Sequence, residues 1–159
     1  MHRLIKLFLL AFIGVAVFAL SACELDYMDA EDIYEKLDDI AGTLGRSQLT
    51  AEEDLTGMRN SGDDEFTGTY TAECTDKTGR DVIFGGASVK ERSVRVRGRV
   101  QLTDGRLKVR VRENDEVFHI DLAEDGTFDQ TLDFSSGGNY IMVEYDDFTG
   151  YIELVSEYP

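Results

Sequence analysis

Apolar and polar residues alternate with a period of two through much of the chain. Val94, Val96, Val100 and Leu102 take even positions, and Leu107, Val109 and Val111 take odd ones. That is the spacing of strands with one buried face. Runs of this kind over about 66–74, 79–85, 93–102, 106–112, 116–122, 127–134, 139–145 and 150–157 predict eight strands. Turn-prone clusters separate them: Asp76-Lys77-Thr78-Gly79, Asp104-Gly105, Asn114-Asp115, Asp125-Gly126, Ser135-Ser136-Gly137-Gly138 and Asp146-Asp147. The only proline is the last residue, Pro159, so none of these runs is barred from pairing. The predicted fold is mainly β, an antiparallel β-sandwich of about 7–8 strands.

The change from even to odd positions across Asp104-Gly105 predicts a two-residue hairpin, because only an even loop keeps both apolar sets on one face. That register pairs Leu102 with Leu107 and Val100 with Val109. It also sets Arg99 opposite Arg110 and Arg97 opposite Arg112, and gathers Arg95, Arg97, Arg99, Arg106, Lys108, Arg110 and Arg112 on one surface. Like charges directly opposite cost up to about 1 kcal/mol per pair. Two readings follow. Acids of neighbouring strands (Asp121, Asp129, Asp133, Glu153) and of the N-terminal region neutralise the stripe, or the stripe binds an external polyanion such as an envelope polymer.

Ahead of the strands the period is helical. Ile33, Leu37, Ile40 and Leu44 fall on one face of a helix over about 29–44, with Asp29 as cap and acids in its first turn. A narrow apolar face of this kind lies on the domain or docks on a partner. Residues 23–65 carry 14 acidic residues against Lys36, Arg46 and Arg59, which marks them as an acidic tether before a sandwich at 66–159.

The first 22 residues read as an export signal: Arg3 and Lys6, an apolar run from Leu7 to Leu20, then small residues. The run is shorter than the roughly 20 residues that span a bilayer. It ends in Leu20-Ser21-Ala22-Cys23, which resembles the lipobox of bacterial lipoproteins. The resemblance implies cleavage before Cys23, diacylglycerol on its thiol, and a protein lipid-anchored on the extracytoplasmic face of a cell membrane. It also implies that 1–22 is a lipoprotein signal peptide.

Charge narrows the partners. The chain has 16 basic and 32 acidic residues, a net charge of −16. Such a balance argues against nucleic acid as a partner and leaves lipid, not charge, to hold the protein on an anionic membrane. All 11 basic residues after residue 65 lie between Lys77 and Arg112, while 13 acids and no base follow from Glu113 onward. Cys74 is the second of two cysteines, and in a strand it reads as a buried thiol.

No constellation for catalysis emerges. His119 is the one histidine beyond the signal, alternating with Phe118 and Ile120, and no Gly-x-Ser-x-Gly, zinc spacing or phosphate loop is present. Acid-rich loops such as Asn114-Asp115-Glu116 lack the alternating register of a calcium loop. No catalytic, metal or cofactor residue is therefore assigned.

Short motifs carry two further resemblances. Asp63-Asp64-Glu65-Phe66-Thr67-Gly68-Thr69-Tyr70, Ile83-Phe84-Gly85-Gly86, Asn139-Tyr140-Ile141 and Phe148-Thr149-Gly150 are similar to elements of small lipoproteins of clostridial-type Gram-positive bacteria, a family without an assigned activity. Gly98-Arg99-Val100, Asp125-Gly126-Thr127-Phe128 and Gly138-Asn139-Tyr140 resemble pieces of carboxypeptidase-regulatory-like β-sandwich modules. In those modules a longer connection stands where this chain has Asp104-Gly105, and the flanking strands can lie in opposite sheets, which would split the arginine surface in two. The sequence thus points to a non-catalytic binding or interaction module, with an envelope polymer or surface protein as partner. The alternative is an accessory subunit of a membrane complex docking through the 29–44 helix.

Overall fold

The computed structural model describes residues 30–159. The signal segment, the lipobox and Cys23 lie outside the described residues. Internal contacts divide the chain into Met1–Leu37 and Asp38–Pro159. Helix α1, Ala30–Arg46, begins in the first unit and ends in the second. Glu31 and Asp32 in its first turn and Arg46 in its last complement the helix dipole.

The second unit is built on one hydrogen-bonded antiparallel sheet of six strands. These are β1 (Met58–Ser61), β2 (Gly68–Ser88), β3 (Arg92–Glu113), β4 (Glu116–Ile120), β5 (Thr127–Phe134) and β6 (Gly137–Glu157). The order is β1-β2-β6-β3-β4, with β5 also paired to β3. One edge of β3 pairs with β6 from Arg95 to Glu113. The other edge pairs with β5 over Arg92–Arg99 and with β4 over Val109–Glu113.

The predicted hairpin at Asp104-Gly105 does not form. Residues 93–102 and 106–112 are one strand, and the runs 66–74 with 79–85, and 139–145 with 150–157, merge in the same way. Arg99 therefore faces Glu153 and Thr127, and Arg110 faces Met142 and His119, not each other. The three suspected turns are instead aligned irregularities. Register shifts in β2 between Cys74 and Gly79, and in β3 between Leu102 and Arg106, both lie against residues 145–150 of β6. Each strand changes the parity of its buried residues there. In β3 it passes from Val94, Val96 and Val100 to Leu107, Val109 and Val111. In β6 it passes from Ile141, Val143 and Tyr145 to Phe148, Ile152 and Leu154. A bulge adds the odd residue that keeps one face inward while the strand bends.

The row of bulges is a crease. Residues on both sides of it, among them Tyr70, Val96 and Leu154 on one and Ile83, Val109 and Ile141 on the other, form a single buried cluster. The sheet thus closes on itself as a sandwich whose two layers share three strands. Burial of aromatic and β-branched side chains at about 25 cal/mol per Å² drives that closure.

Residues 38–65 belong to this unit, so the change of composition at 65 is not a boundary in space. β1 pairs with Gly68–Thr71, and Leu55 packs on the core. The Thr50 amide donates to the Val82 carbonyl at 3.0 Å. Arg59 donates to Glu52 and to the carbonyls of Thr50, Val82 and Ile83. These contacts lay the acidic segment along the free edge of β2.

Candidate anion-binding face

The crease divides the predicted basic stripe into two outward faces with different balances. Cross-strand partners share a face, so the register assigns the members of each.

On the layer holding the first half of β3, Arg95, Arg97 and Arg99 stand among Glu73, Asp129, Asp133, Glu153 and Glu157. Arg95 donates from Nε to Asp129 at 2.8 Å, and Arg97 from Nε to Glu157 at 2.9 Å. These bonds hold the Asp129 and Glu157 carboxyls below the ordinary carboxylate range. Three cations meet five acids here, so this part of the stripe is neutralised within the fold.

The other layer has the opposite balance. Arg106, Lys108, Arg110 and Arg112 of β3 are joined by Arg80 of β2, while Glu144 and Asp146 of β6 are the acids in register with them. Five cations meet two acids, in a chain whose net charge is −16. Glu144 accepts from Arg110, lies 3.8 Å from Arg80 and 3.9 Å from His119 Nε2, and stands opposite Lys108 in register. One carboxylate cannot neutralise that set. Arg106 donates from Nε to Asp146 at 2.9 Å, with its side chain 76% exposed.

Arg112 is held differently. Its guanidinium lies 4.4 Å over the Tyr140 ring and donates to Gln48 at 2.7 Å. Stacking of this kind fixes the group without cancelling its charge. At the crease end of the row, a hollow of about 430 Å³ is lined by Thr78, Gly79, Arg106, Lys108, Glu144 and Asp146, among others.

Arg80 and Glu144 were not singled out by sequence reasoning, and His119 was read only as a lone strand histidine. Their place depends on β6 lying between β2 and β3, and no local pattern announces that order. The His119 side chain is 42% exposed. Cys74 is buried, and that burial pushes its thiol upward.

The helix presents its apolar stripe outward. Leu37, Ile40 and Leu44 are exposed, the last at 69%, and Ile33 is half-buried. The opposite side of α1 holds the contacts: Asp38 accepts from Ser88, from the Val89 amide at 2.8 Å and from Arg92. A larger cleft of about 620 Å³ lies between residues 46–51, β1 and β2. Both of its arginines are paired, Arg46 with Glu65 and Arg59 with Glu52.

No protein-family model matches the sequence, and no curated protein matches it. Solved structures that are similar include a carbohydrate-binding module of Cellvibrio mixtus lichenase 5A in complex with cellotriose, at 12% identity, TM-score 0.35, covering 75% of this chain and 95% of that one. Another is a carbohydrate-binding module solved with a glucuronic acid-containing disaccharide, at 15% identity, TM-score 0.42, covering 71% and 90%. A third is the pre-peptidase C-terminal domain of a Bacillus anthracis collagenase, at 14% identity, TM-score 0.35, covering 64% and 85%. Likeness at this level leaves the function to be argued from the residues of this chain.

Proposed function

We propose that this chain is a non-catalytic binding module, held by a lipidated Cys23 on the extracytoplasmic face of a membrane, that takes an anionic envelope polymer on the Arg106–Arg112 face. The observation that carries the reading is the imbalance of that face, five cations to two acids in register. Exposed ion pairs are worth about 0.2–1 kcal/mol each. An incoming anion therefore displaces Asp146 from Arg106 at little cost, and the fold does not depend on the pair. The neutralised layer holding Arg95, Arg97 and Arg99 serves as an internal control.

The test is binding of the full chain to immobilised polygalacturonate and poly(glycerol phosphate) at low salt. Reversing Arg106 and Lys108 to glutamate is expected to weaken binding about tenfold or more, and raising salt to about 0.5 M to do the same. Reversing Arg95 and Arg97 is expected to change little. Equal loss from the two pairs of substitutions would show that the face is not the site. The anchor is tested separately, by incorporation of labelled palmitate that disappears in Cys23→Ser.

The exposed stripe of Leu37, Ile40 and Leu44 favours a second reading, an accessory subunit docking through α1. In that case Leu37→Asp with Ile40→Asp abolishes co-purification with a membrane complex and leaves polymer binding intact.

A further inference from the structure

Within the reading of an anion-binding face, on which this rests, the spacing of the charges selects among polymers. Arg106, Lys108, Arg110 and Arg112 follow one another at every second residue of a single strand, the first two exposed and the last two half-buried. Alternate residues of a strand repeat at roughly 6.6 Å. The row is straight on this side of the crease, since the register shifts of β3 end at Arg106.

The acids paired in register with the row come from one side. Glu144 and Asp146 both come from β6. The other flank is β4, which sets His119 beside Arg110 and Val117 beside Arg112. An anionic chain lying along that flank meets a cation at each step, and the one carboxylate that reaches it is that of Glu144, 3.9 Å from His119 Nε2. The Nε of Arg110 and of Arg112 is buried without a hydrogen-bond partner among the described residues, so these two guanidiniums meet a ligand only through their terminal nitrogens.

We infer that the ligand of this face is a linear phosphodiester polymer with a short polyol repeat, running parallel to β3 with successive phosphates beside Arg106, Lys108, Arg110 and Arg112. The path between neighbouring phosphorus atoms in a glycerol phosphate chain has six bonds. Three backbone bonds advance about 3.6 Å when extended, so one repeat spans roughly 7 Å and matches the step of the row. A phosphodiester carries one full charge on that same backbone, so every repeat presents its charge to the row. A polyuronate carries its carboxylates on side positions that alternate between opposite edges of an extended chain, so only every second charge meets the row. Arginine suits this task, because its planar fork reaches two phosphate oxygens at once.

The experiment compares, for the full chain, glycerol phosphate oligomers of two, four and six repeats with oligogalacturonates of equal charge and with oligothymidylate. Affinity is expected to rise about tenfold from two to four glycerol phosphate repeats, then level off once the four cations are filled. The uronates are expected to bind at least about tenfold more weakly than the glycerol phosphates at equal charge. Lys108→Gln and Arg97→Gln, both on exposed side chains, provide variants that fold; Lys108→Gln is expected to remove the gain from two to four repeats, and Arg97→Gln, on the neutralised layer, to leave it. Equal affinity for uronate and phosphate, with both lost in Lys108→Gln, overturns the phosphodiester assignment while the anion-binding face stands. Preference for oligothymidylate overturns the polyol repeat. Binding that ignores Lys108 and Arg106 altogether overturns the underlying reading of the face.

Discussion

The Tyr70 hydroxyl donates to the Asp81 carboxylate although the two residues are eleven positions apart on the same strand. In a straight strand that separation is about 36 Å. Their contact is the fold-over of the sheet expressed in two side chains. Asp81 also accepts from the Thr56 amide at 3.0 Å, and Tyr145, from the far side of the crease on β6, stands 2.7 Å from the Tyr70 hydroxyl. A carboxylate only 2% exposed is thus satisfied wholly by neutral donors. Asp81→Ala strips these donors of their acceptor and is expected to cost roughly 3 kcal/mol, read as a lower urea midpoint. A double-mutant cycle of Asp81→Asn with Tyr70→Phe should show coupling of about 1 kcal/mol or more. Strict additivity would mean that the two layers do not communicate through this contact.

The crease makes a second, local prediction. Gly105 has a φ of 76°, and a Cβ there would stand 2.1 Å from the Asp147 carbonyl oxygen. Gly79, at the crease in β2, has a φ of 143° but open space around it. Gly105→Ala meets both backbone strain and a collision across the sheet, and is expected to destabilise by about 3 kcal/mol, against about 1 kcal/mol for Gly79→Ala. Thermal melts of both variants decide this. If Gly105→Ala melts like the parent, residues 104–105 form a freely adjustable loop and the continuous β3 is wrong.

Arg92 joins four segments. Its guanidinium reaches Asp38 of α1 and Asp64 before β2, each at 3.1 Å, and it also bonds Ser88 and Tyr158 while stacking 4.1 Å over Phe66. Asp38 responds to this setting. Burial works to raise its carboxyl, but the bonds from Ser88 and the Val89 amide, with Arg92 beside it, bring it below the ordinary value. A carboxyl lowered in the fold contributes stability above its unfolded value near 4, and that contribution is lost as pH falls through the folded value. Arg92→Met is expected to cost about 2–3 kcal/mol at neutral pH. It should also flatten the decline in stability below about pH 4. An unchanged acid limb in the variant would mean that Arg92 does not hold Asp38.

The strand positions were legible in the sequence, because alternation of Val, Ile and Phe with polar residues reports a half-buried face directly. The joins between strands were not. A two-residue turn and a bulge both reverse the parity of the buried positions, so Leu102 and Leu107 look the same in either case. Asp104-Gly105 also suits both, since glycine supplies the positive φ that each needs. The pairing of Arg97 with Glu157, sixty residues away, and of Lys108 with Glu144 follows from β6 lying beside β3. That order is set by packing across the whole core. The basic stripe was therefore visible as a composition, but its division into a neutralised half and an uncompensated half was not. The helix was legible in both extent and amphipathicity. The segment after it was read as a tether because its charge hid Leu55, Thr56 and Arg59, the few residues that seat it on the sheet.

The buried phenols predict behaviour at alkaline pH. Burial, reinforced by the bond to Asp81, pushes the Tyr70 hydroxyl well above the ordinary value near 10, and burial with Tyr70 alongside does the same to Tyr145. At the C-terminal end, Tyr158 is pushed up to about 12 by burial and its bond to Asp64. A group whose value is raised in the fold stabilises fully below its unfolded value and loses that contribution as pH rises through the folded one. Above about pH 10 the unfolded chain releases protons that the folded chain retains, so stability falls by about 1.4 kcal/mol per pH unit for each such tyrosine. Tyr70 and Tyr145 together should give a decline approaching 3 kcal/mol per unit between roughly pH 10.5 and 11.5. Urea midpoints across that range measure the slope, and phenolate absorbance should show the two groups ionising only as the protein unfolds. Tyr70→Phe with Tyr145→Phe starts from lower stability but should lose most of the slope. A slope unchanged in that variant would place the alkaline sensitivity elsewhere and would mean that Asp81 is not held in a closed network of phenols.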